Sequence, residues 1–375
     1  MKTVIAPPAP APLRPVVDSG SAPSSSGASA SGRRAPVRVA LVQMQWLADP
    51  VAHAEQLADG IASAAAAGAS AVFLPELSLR RYPGDVPASG VPKDHAEDLL
   101  TGPTFTFAVS QARRHGVFVH ASLYERPAAD DEPGDARGYN TAILVAPSGE
   151  LVGRTRKTHI PISAGYYEDT YFRPGAAPAA ALSASGSASS GGSPSLAGSA
   201  FPAGSPFPVY EPAGLGARVG LPTCWDEWFP ELARSYGLAG AEILAYPTAI
   251  GSEPSFPDFD TRDIWRQVIV ANGITSGLFM VVPNRWGDEG DITFYGSSFI
   301  SDPYGRVLVS APRDESVVLV ADLDIAQREE WLKLFPFYVT RRPDLYEGLV
   351  APVDEARHSY GAFEAIAESV ADVRP

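Results

Sequence analysis

The chain has 375 residues, a formal net charge of −14 at pH 7 and a single cysteine. Its length exceeds the roughly 100 to 200 residues of a typical domain, although one large α/β domain is still possible. The negative charge argues against a protein that binds nucleic acid or an anionic membrane surface. No apolar run approaches the roughly 18 residues that a membrane-spanning helix needs, so we expect a soluble protein.

Cys224 is the only cysteine in the sequence. One cysteine excludes an intramolecular disulfide and a metal site built from several cysteines, which favours a reducing compartment. The six histidines, at positions 53, 95, 115, 120, 159 and 358, show no metal-ligand spacing. We therefore expect a cytoplasmic protein without a metal or other cofactor.

Two segments have a low-complexity composition. Residues 1–35 are mostly Ala, Pro, Ser and Gly, and such a segment buries too little apolar surface to offset the entropy of ordering. Residues 176–206 contain no charged side chain and have the composition of a flexible loop. These patterns predict a disordered tail at 1–35, one domain at 36–350 with a loop insertion at 176–206, and a C-terminal extension at 351–375.

The hydrophobic pattern between these segments predicts interleaved helices and strands. In chain order the predicted elements are a strand at 37–44, a helix from Asp49-Pro50 to near Gly68, a strand at 71–75, a helix at 103–115, a strand at 117–124, a hairpin of 141–145 with 151–155, a strand at 218–222, a helix at 230–238, a strand at 242–246, a helix at 261–272, and strands at 279–283, 298–301 and 317–322. Because hairpins interrupt the alternation, we expect a mixed and not a purely parallel sheet.

Several well-known signatures are absent from the sequence. It contains no G-x-x-x-x-G-K-[ST], no G-x-G-x-x-G after a strand, no G-x-S-x-G and no H-E-x-x-H. Nucleotide binding, dinucleotide binding and zinc chemistry therefore lose support.

Polar residues follow three of the apolar runs. Glu76 comes after VFLP, Lys157 after the second strand of the hairpin, and Cys224 after RVGLPT. Side chains at the carboxyl edge of an α/β sheet converge on one crevice, where a base and a positive charge could activate a thiol. Taken singly, each residue has an ordinary alternative: a buried core cysteine, a helix-start carboxylate and a solvated lysine.

The segments around these residues resemble a known family. FLPEL, GRTRKTHIP and GLPTCWDEWFPELAR are similar to the three signature segments of the nitrilase, or carbon-nitrogen hydrolase, superfamily. GAEILAYPTAIGSEP, FYGSSFI and RRPDLY resemble its N-carbamoylputrescine amidase branch. The resemblance runs from Val37 to Leu349. It implies an α/β fold of the four-layer αββα sandwich type with mixed sheets, a cofactor-independent enzyme for a small-molecule amide or carbamoylated amine, and at least a homodimer.

The resemblance also implies roles for individual residues. Cys224 would attack the carbonyl carbon, Glu76 would take the thiol proton and later activate water, and Lys157 would stabilise the oxyanion. Glu125, which closes SLYE, resembles the accessory carboxylate that orients the lysine. The main-chain N–H of Trp225 would complete the oxyanion hole.

The chain departs from the family pattern at two places. Thr223 precedes the nucleophile where the family usually has an apolar residue, and the 176–206 insertion enters between YFRPG and the nucleophile strand. Neither change removes a catalytic group. His159 in KTHIP matches the family segment, and we interpret it as packing near the lysine and not as an acid or base.

The leading hypothesis for the substrate is N-carbamoylputrescine, hydrolysed to putrescine, carbon dioxide and ammonia. A carbamoylated diamine ends in an ammonium group, so the pocket should hold a carboxylate. Glu253 lies on the loop after the 242–246 strand and is the candidate, although it could merely cap or solvate that loop. Asp226 and Glu227 are the other carboxylates that could bind the amine.

Three alternatives stay open. A β-ureidopropionase or ω-amidase would act on a carboxylate-bearing substrate and require an arginine, for which Arg262, Arg266 and Arg285 are candidates. A catalytically silent nitrilase-fold binding module is a second alternative, but the presence of all three signature residues argues against it. Redox sensing by the lone cysteine is the third, and it lacks a resolving thiol in the chain.

Overall fold

The computed structural model describes residues 1–8, 34–128, 134–163, 165–175 and 207–351. Most of the predicted tail (9–33), the predicted loop insertion (176–206) and nearly all of the predicted extension (352–375) lie outside the described residues.

The described residues form strands and helices in an interleaved order. The strands are β1 Lys2–Ile5, β2 Val37–Gln45, β3 Ala71–Phe73, β4 Phe118–Glu125, β5 Tyr139–Val145, β6 Leu151–Arg156, β7 Val209–Tyr210, β8 Val219–Gly220, β9 Ile243–Ala245, β10 Phe279–Val282, β11 Arg285–Glu289, β12 Ile292–Tyr295, β13 Phe299–Ser301, β14 Val307–Ser310 and β15 Val317–Leu323. The α-helices are α1 Pro50–Ala66, α2 Pro103–His115, α3 Glu168–Tyr171, α4 Pro230–Leu238, α5 Arg262–Ser276 and α6 Ala326–Leu334. Short 3₁₀ helices cover Pro92–His95, Cys224–Trp228, Pro343–Leu345 and Glu347–Val350.

The strands form two mixed sheets. The first sheet has the order β1-β15-β2-β3-β4-β5-β6, and the β11–β12 hairpin joins it by pairing with β2. The second sheet has the order β14-β13-β10-β9-β8-β7. In the first sheet β2, β3 and β4 are parallel to one another, whereas β4, β5 and β6 form an antiparallel meander. In the second sheet β8, β9 and β10 are parallel.

Three layers of apolar side chains hold the architecture together. One lies between the sheets, where Leu41 and Phe73 of the first sheet meet Val219 and Phe279 of the second in one buried cluster. A second cluster packs α1 and α2 against the outer face of the first sheet, and a third packs α4 and α5 against the outer face of the second. The order of layers is thus helix, sheet, sheet, helix, which confirms the predicted αββα sandwich.

Local sequence determines the ends of the helices. Asp49 is the N-cap of α1, where its Oδ1 accepts a hydrogen bond from the main-chain N–H of Val51 at 2.9 Å, and Pro50 occupies the first turn. Helix α2 ends at Gly116, whose φ of 67° lies in the left-handed region that glycine adopts without strain. These ends agree with the starts and stops predicted from the sequence.

The first residues of the chain differ from the prediction. The disordered tail predicted at 1–35 is wrong for Lys2–Ile5, which form β1 and pair in parallel with Val317–Val320 of β15. Val4 also packs against the cluster between the sheets. The sequence KTVI contains three β-branched residues, a local β-forming signal that the average composition of the tail conceals. Among the described residues, no helix is long and apolar enough to cross a membrane.

We expect Val4→Asp to lower the free energy of unfolding by about 1 to 3 kcal/mol, because it places a charge against the apolar cluster beneath β1. Thr3→Asp is the matched control, since Thr3 is exposed in the same strand, and it should cost less than about 0.5 kcal/mol. Urea denaturation of both variants measures the difference. Equal losses would show that β1 does not contribute through its inward face.

Candidate active site

Glu76 lies at the carboxyl edge of the first sheet, just after β3, and is completely buried. Its Oε1 accepts hydrogen bonds from Asn140 Nδ2 at 2.6 Å and from Lys157 Nζ at 3.0 Å. Within the described part of the chain, its Oε2 has no hydrogen-bond partner. One oxygen is therefore held in place, and the other is available to accept a proton.

The backbone that follows Glu76 is strained and is held by an arginine. Leu77 has a φ of 49°, a left-handed conformation that costs a non-glycine residue about 1 to 3 kcal/mol. Arg285 Nη2 donates to the carbonyl oxygens of Glu76 at 2.6 Å and of Leu77 at 3.2 Å. The guanidinium also pairs with Glu289 at 2.7 Å. Arg285 thus fixes the turn that presents the Glu76 carboxylate.

Lys157 follows β6 and is completely buried. Its Nζ donates to Glu76 Oε1 at 3.0 Å and to Glu168 Oε2 at 2.6 Å. Burial by itself would lower the pKa of Lys157, but the two carboxylates outweigh it and hold that pKa well above its usual value. The ammonium group therefore stays charged in the middle of the protein.

Glu168 is the second carboxylate on the lysine. It begins the short helix α3, is buried, and accepts a hydrogen bond at Oε1 from the Tyr82 hydroxyl at 2.8 Å. Burial raises the pKa of Glu168, while the neighbouring Lys157 charge opposes that shift. Glu168 is a residue that the sequence reasoning missed. The available signal was a carboxylate within the aromatic-rich YYEDTYF, 11 positions after the lysine.

The structure places Glu125 elsewhere, which corrects the prediction that it orients Lys157. The Glu125 carboxylate accepts from Thr141 Oγ1 at 2.6 Å and from Arg156 Nη2 at 2.7 Å, and it pairs with Arg154 as well. Successive residues of a strand point to opposite faces. Arg154 and Arg156 share one face of β6, and Lys157 follows on the other. Glu125 lies on the face of the two arginines.

Cys224 begins the 3₁₀ helix that follows β8, and its side chain is buried. Its φ of 41° is another left-handed conformation, and its main-chain N–H donates to the carbonyl oxygen of Pro247 at 3.1 Å. Burial raises the pKa of the Cys224 thiol well above its usual value, the Glu76 charge adds to the increase, and Lys157 opposes it. The Cys224 side chain is therefore a neutral thiol, which would require a base to remove its proton before it could act as a nucleophile.

Asp226 connects the nucleophile turn to the segment of the lysine. Its Oδ1 accepts from the main-chain N–H of His159 at 2.9 Å and lies 2.8 Å from His159 Nδ1. Its Oδ2 accepts from the main-chain N–H of Thr223 at 3.1 Å. The His159 ring stacks on Phe229 with a centroid distance of 3.7 Å. These contacts match the interpretation of His159 as a packing residue.

A cavity of about 210 Å³ opens in front of Cys224. Its lining is Pro161, Ser163, Tyr166, Glu168, Cys224, Trp225, Trp228, Ala249, Ile250, Glu253 and Thr261. The predicted residues Trp225 and Glu253 thus share one cavity with the nucleophile. The half-buried Glu253 carboxylate accepts from Thr261 Oγ1 at 3.2 Å, and burial raises its pKa.

The other candidate substrate-binding residues do not line this cavity. Arg285 donates to the carbonyl oxygen of Glu76. Arg266 donates to the carbonyl oxygen of Ser297 at 3.3 Å, and Arg262 Nε lies 2.9 Å from Asp263 Oδ1. Asp226 and Glu227 are also absent from its lining. In the described ranges, no group of three or more His, Cys, Asp or Glu side chains is placed to hold a metal ion.

Comparison with known proteins places this geometry in a family. Residues 38–333 match the profile of the carbon-nitrogen hydrolases. A citrullinase from Francisella tularensis is 32% identical over 320 residues, which cover 84% of this chain and 99% of that protein. An N-carbamoylputrescine amidase from Arabidopsis thaliana is 32% identical over 330 residues, which cover 85% of this chain and 97% of that protein.

Solved structures share the fold. A carbon-nitrogen hydrolase from Helicobacter pylori superposes with a TM-score of 0.69 at 28% identity and covers 84% of this chain and 98% of its own. An amidase of the nitrilase superfamily from Nesterenkonia superposes with a TM-score of 0.59 at 22% identity, covering 85% and 98% respectively. The match over most of the sequence and the shared fold lead to one conclusion: the chain belongs to the carbon-nitrogen hydrolase family and is an enzyme of that class.

Proposed function

We propose that this enzyme hydrolyses the ureido group of an N-carbamoyl amine whose far end carries an ammonium group, with N-carbamoylputrescine as the representative substrate. The observation that carries the proposal is that the Cys224 thiol and the Glu253 carboxylate line the same small cavity. The buried set of Glu76, Lys157 and Glu168 interacts electrostatically with this thiol. One bound molecule could therefore contact both the Cys224 thiol, as the nucleophile, and the Glu253 carboxylate, as the group that binds its ammonium.

The first half-reaction forms a covalent intermediate. Glu76 takes the proton of the Cys224 thiol while the sulfur attacks the ureido carbon, and the carbonyl oxygen becomes an oxyanion. Lys157 and the main-chain N–H of Trp225 stabilise that oxyanion. The C–N bond to the alkyl amine then breaks, and the leaving nitrogen takes the proton from Glu76. The products of this step are the free amine and an S-carbamoyl cysteine.

The second half-reaction discharges the carbamoyl group. Glu76 takes a proton from water as the water oxygen attacks the carbamoyl carbon, and Lys157 again stabilises the oxyanion. The C–S bond breaks, and the sulfur takes the proton back as a thiol. The released carbamic acid decomposes to carbon dioxide and ammonia. A ureido carbon is a poor electrophile, so stabilising its oxyanion contributes more than raising thiol reactivity.

The lining of the cavity supports a substrate with a short apolar chain between a neutral ureido group and a charged ammonium end. Trp225, Trp228 and Ile250 contribute apolar surface to the cavity that Cys224 and Glu253 also line. The pKa of Glu253 is raised because burial disfavours its charge. A substrate ammonium next to this carboxylate would stabilise the charged form and would therefore bind favourably. A charge-assisted contact of this kind contributes about 1.5 to 3 kcal/mol.

Citrulline is the second candidate, favoured by the match to a citrullinase over 99% of that protein. Its far end carries a carboxylate as well as an ammonium. Among the residues that line the cavity there is no arginine or lysine to pair with that carboxylate. The same feature disfavours the β-ureidopropionase and ω-amidase alternatives. The expected homo-oligomer and cytoplasmic location stay predictions.

We expect Glu76→Gln to reduce turnover by several orders of magnitude, because the amide accepts a proton neither from the thiol nor from water, and a carbamoyl adduct that does form on Cys224 should persist. Incubation with N-carbamoylputrescine followed by intact-mass spectrometry detects the adduct. Cys224→Ala is the control and should show neither adduct nor turnover, since it lacks the nucleophile. More than a tenth of wild-type turnover in Cys224→Ala, once contaminating enzyme is excluded, would refute the assignment.

Two variants test which carboxylate, Glu168 or Glu125, acts on Lys157. Glu168→Gln should reduce kcat about 100-fold or more, because it removes a charge that holds Lys157 in its protonated state and position. Glu125→Gln should reduce kcat less than about fivefold, since its partners are Thr141, Arg154 and Arg156. Steady-state ammonia release gives both values. A larger kcat loss in Glu125→Gln would reinstate Glu125 as the residue that acts on the site.

We expect the wild-type enzyme to prefer N-carbamoylputrescine over N-carbamoyl-β-alanine. Glu253→Gln should lower kcat/KM for N-carbamoylputrescine about 10- to 100-fold, which corresponds to the loss of one charge-assisted contact. N-pentylurea has a chain of similar length without the ammonium, and its kcat/KM should change less than about threefold.

The matched control for this prediction is Glu150→Gln, which removes a carboxylate from an exposed hairpin turn. Equal losses on N-carbamoylputrescine and N-pentylurea would mean that Glu253 only holds its loop. A wild-type preference for N-carbamoyl-β-alanine would instead support the ureidopropionase alternative.

A further inference from the structure

Glu227 is a buried carboxyl group that the reaction above does not use. It lies three residues after the nucleophile in the 3₁₀ helix Cys224–Trp228, with 1% of its surface exposed. Its Oε1 accepts a hydrogen bond from Trp265 Nε1 at 2.7 Å, and its main-chain carbonyl oxygen accepts from Asn272 Nδ2 at 2.9 Å. Both donors belong to α5. Glu227 is therefore the residue through which α5 holds the nucleophile turn.

The surroundings of Glu227 do not provide a cation for an ionised carboxylate. Its second oxygen, Oε2, is buried and has no hydrogen-bond partner among the described residues. Lys157, the cation that acts on it, is already bound by Glu76 and Glu168. A buried carboxylate without a paired cation is costly, and such a group takes up a proton instead.

The other titratable groups around Glu227 add to this effect. Burial is the largest cause that raises its pKa well above the usual value, and the charges of Glu76 and Asp226 raise it further. The Trp265 hydrogen bond and Lys157 lower it. Glu227 also interacts electrostatically with Cys224 and with two buried tyrosines, Tyr246 and Tyr295. Both tyrosine hydroxyls are neutral groups near the carboxyl.

We propose that Glu227 is a positioning residue that works as a neutral carboxylic acid: it anchors the nucleophile turn to α5 while keeping a further negative charge away from Cys224. This proposal rests on Cys224 being the nucleophile, and it does not depend on which amide or ureide is the substrate. The Cys224 thiol already faces the Glu76 carboxylate, which opposes its ionisation. An ionised Glu227 would oppose it further.

The sign of the pH dependence follows from this arrangement. As pH rises through the folded-state pKa of Glu227, the carboxyl loses its proton and the pKa of the Cys224 thiol rises. Attack becomes slower, so Glu227 limits activity on the alkaline side. Between the ordinary glutamate pKa and the raised folded-state pKa, the folded protein binds the extra proton. The stability from this group is therefore complete below the ordinary value and declines as pH rises toward the folded-state value.

Glu227→Gln tests the proposal, because the amide oxygen can still accept from Trp265 while the side chain cannot ionise. The only cysteine in the sequence is Cys224, so its alkylation by iodoacetamide reports this thiol alone. We expect the variant to be alkylated about threefold or more faster on the alkaline side, where a half-unit shift of a thiol pKa has this effect. The alkaline limb of kcat/KM should move to higher pH, with kcat at neutral pH within about threefold of wild type. The melting temperature should rise at pH 8 and stay unchanged near pH 4.

Glu231→Gln is the matched control, since Glu231 is exposed at the start of α4, and it should change none of these measurements. An unchanged alkylation profile in Glu227→Gln would overturn the proposal, as would a loss of more than tenfold in neutral-pH kcat. If no carbamoyl amine is turned over, the substrate proposal fails while the alkylation profile still decides the role of Glu227.

If Glu227→Gln does not fold, Trp265→Phe provides the test. It removes a donor that lowers the Glu227 pKa, so its alkylation profile should shift in the same direction, and a shift in the opposite direction would refute the proposal.

Discussion

The proposed active site depends on one buried ion triad, the Lys157 ammonium between the carboxylates of Glu76 and Glu168. All three side chains are almost completely removed from water. An unpaired lysine at this depth would lose its proton, whereas the two carboxylates keep it charged. The triad therefore stores a positive charge where an oxyanion can form. Removing either carboxylate would take away one of the two groups that keep the buried lysine charged and in place.

Strained backbone occurs at two places in the site, directly after Glu76 and at Cys224. Leu77 after the base and Cys224 itself have left-handed φ values, and each conformation is maintained by neighbours that belong to the other parts of the site. Arg285 binds the carbonyl oxygens after Glu76, and Asp226 joins the nucleophile turn to His159. The residues of the site come from both sheets. Glu76 and Lys157 follow strands of the first sheet, and Cys224 follows a strand of the second.

Much of the fold was predictable because its signals are local. The N-cap at Asp49, the stop at Gly116 and the hairpin around Gly149 depend on residues close in sequence. The β11–β12 hairpin and strand β14 were missed. Residues 285–289 read RWGDE, which has little apolar character, and they form a strand because β2 and β12 provide its hydrogen-bonding partners. That pairing is a tertiary property and leaves no local signal.

The sequence by itself determined the family, the layer architecture and the three motif residues Glu76, Lys157 and Cys224, because each motif is a short contiguous segment that ends an apolar run. Only the tertiary structure decided which carboxylate contacts the lysine. The sequence indicated Glu125 and not Glu168, but the alternation of β6 directs Arg154 and Arg156 toward Glu125, and Lys157 pairs with Glu168. The reason is geometric. A one-residue step along a strand moves a side chain to the opposite face of the sheet, and the spacing of residues in the sequence does not show which distant side chain lies on that face.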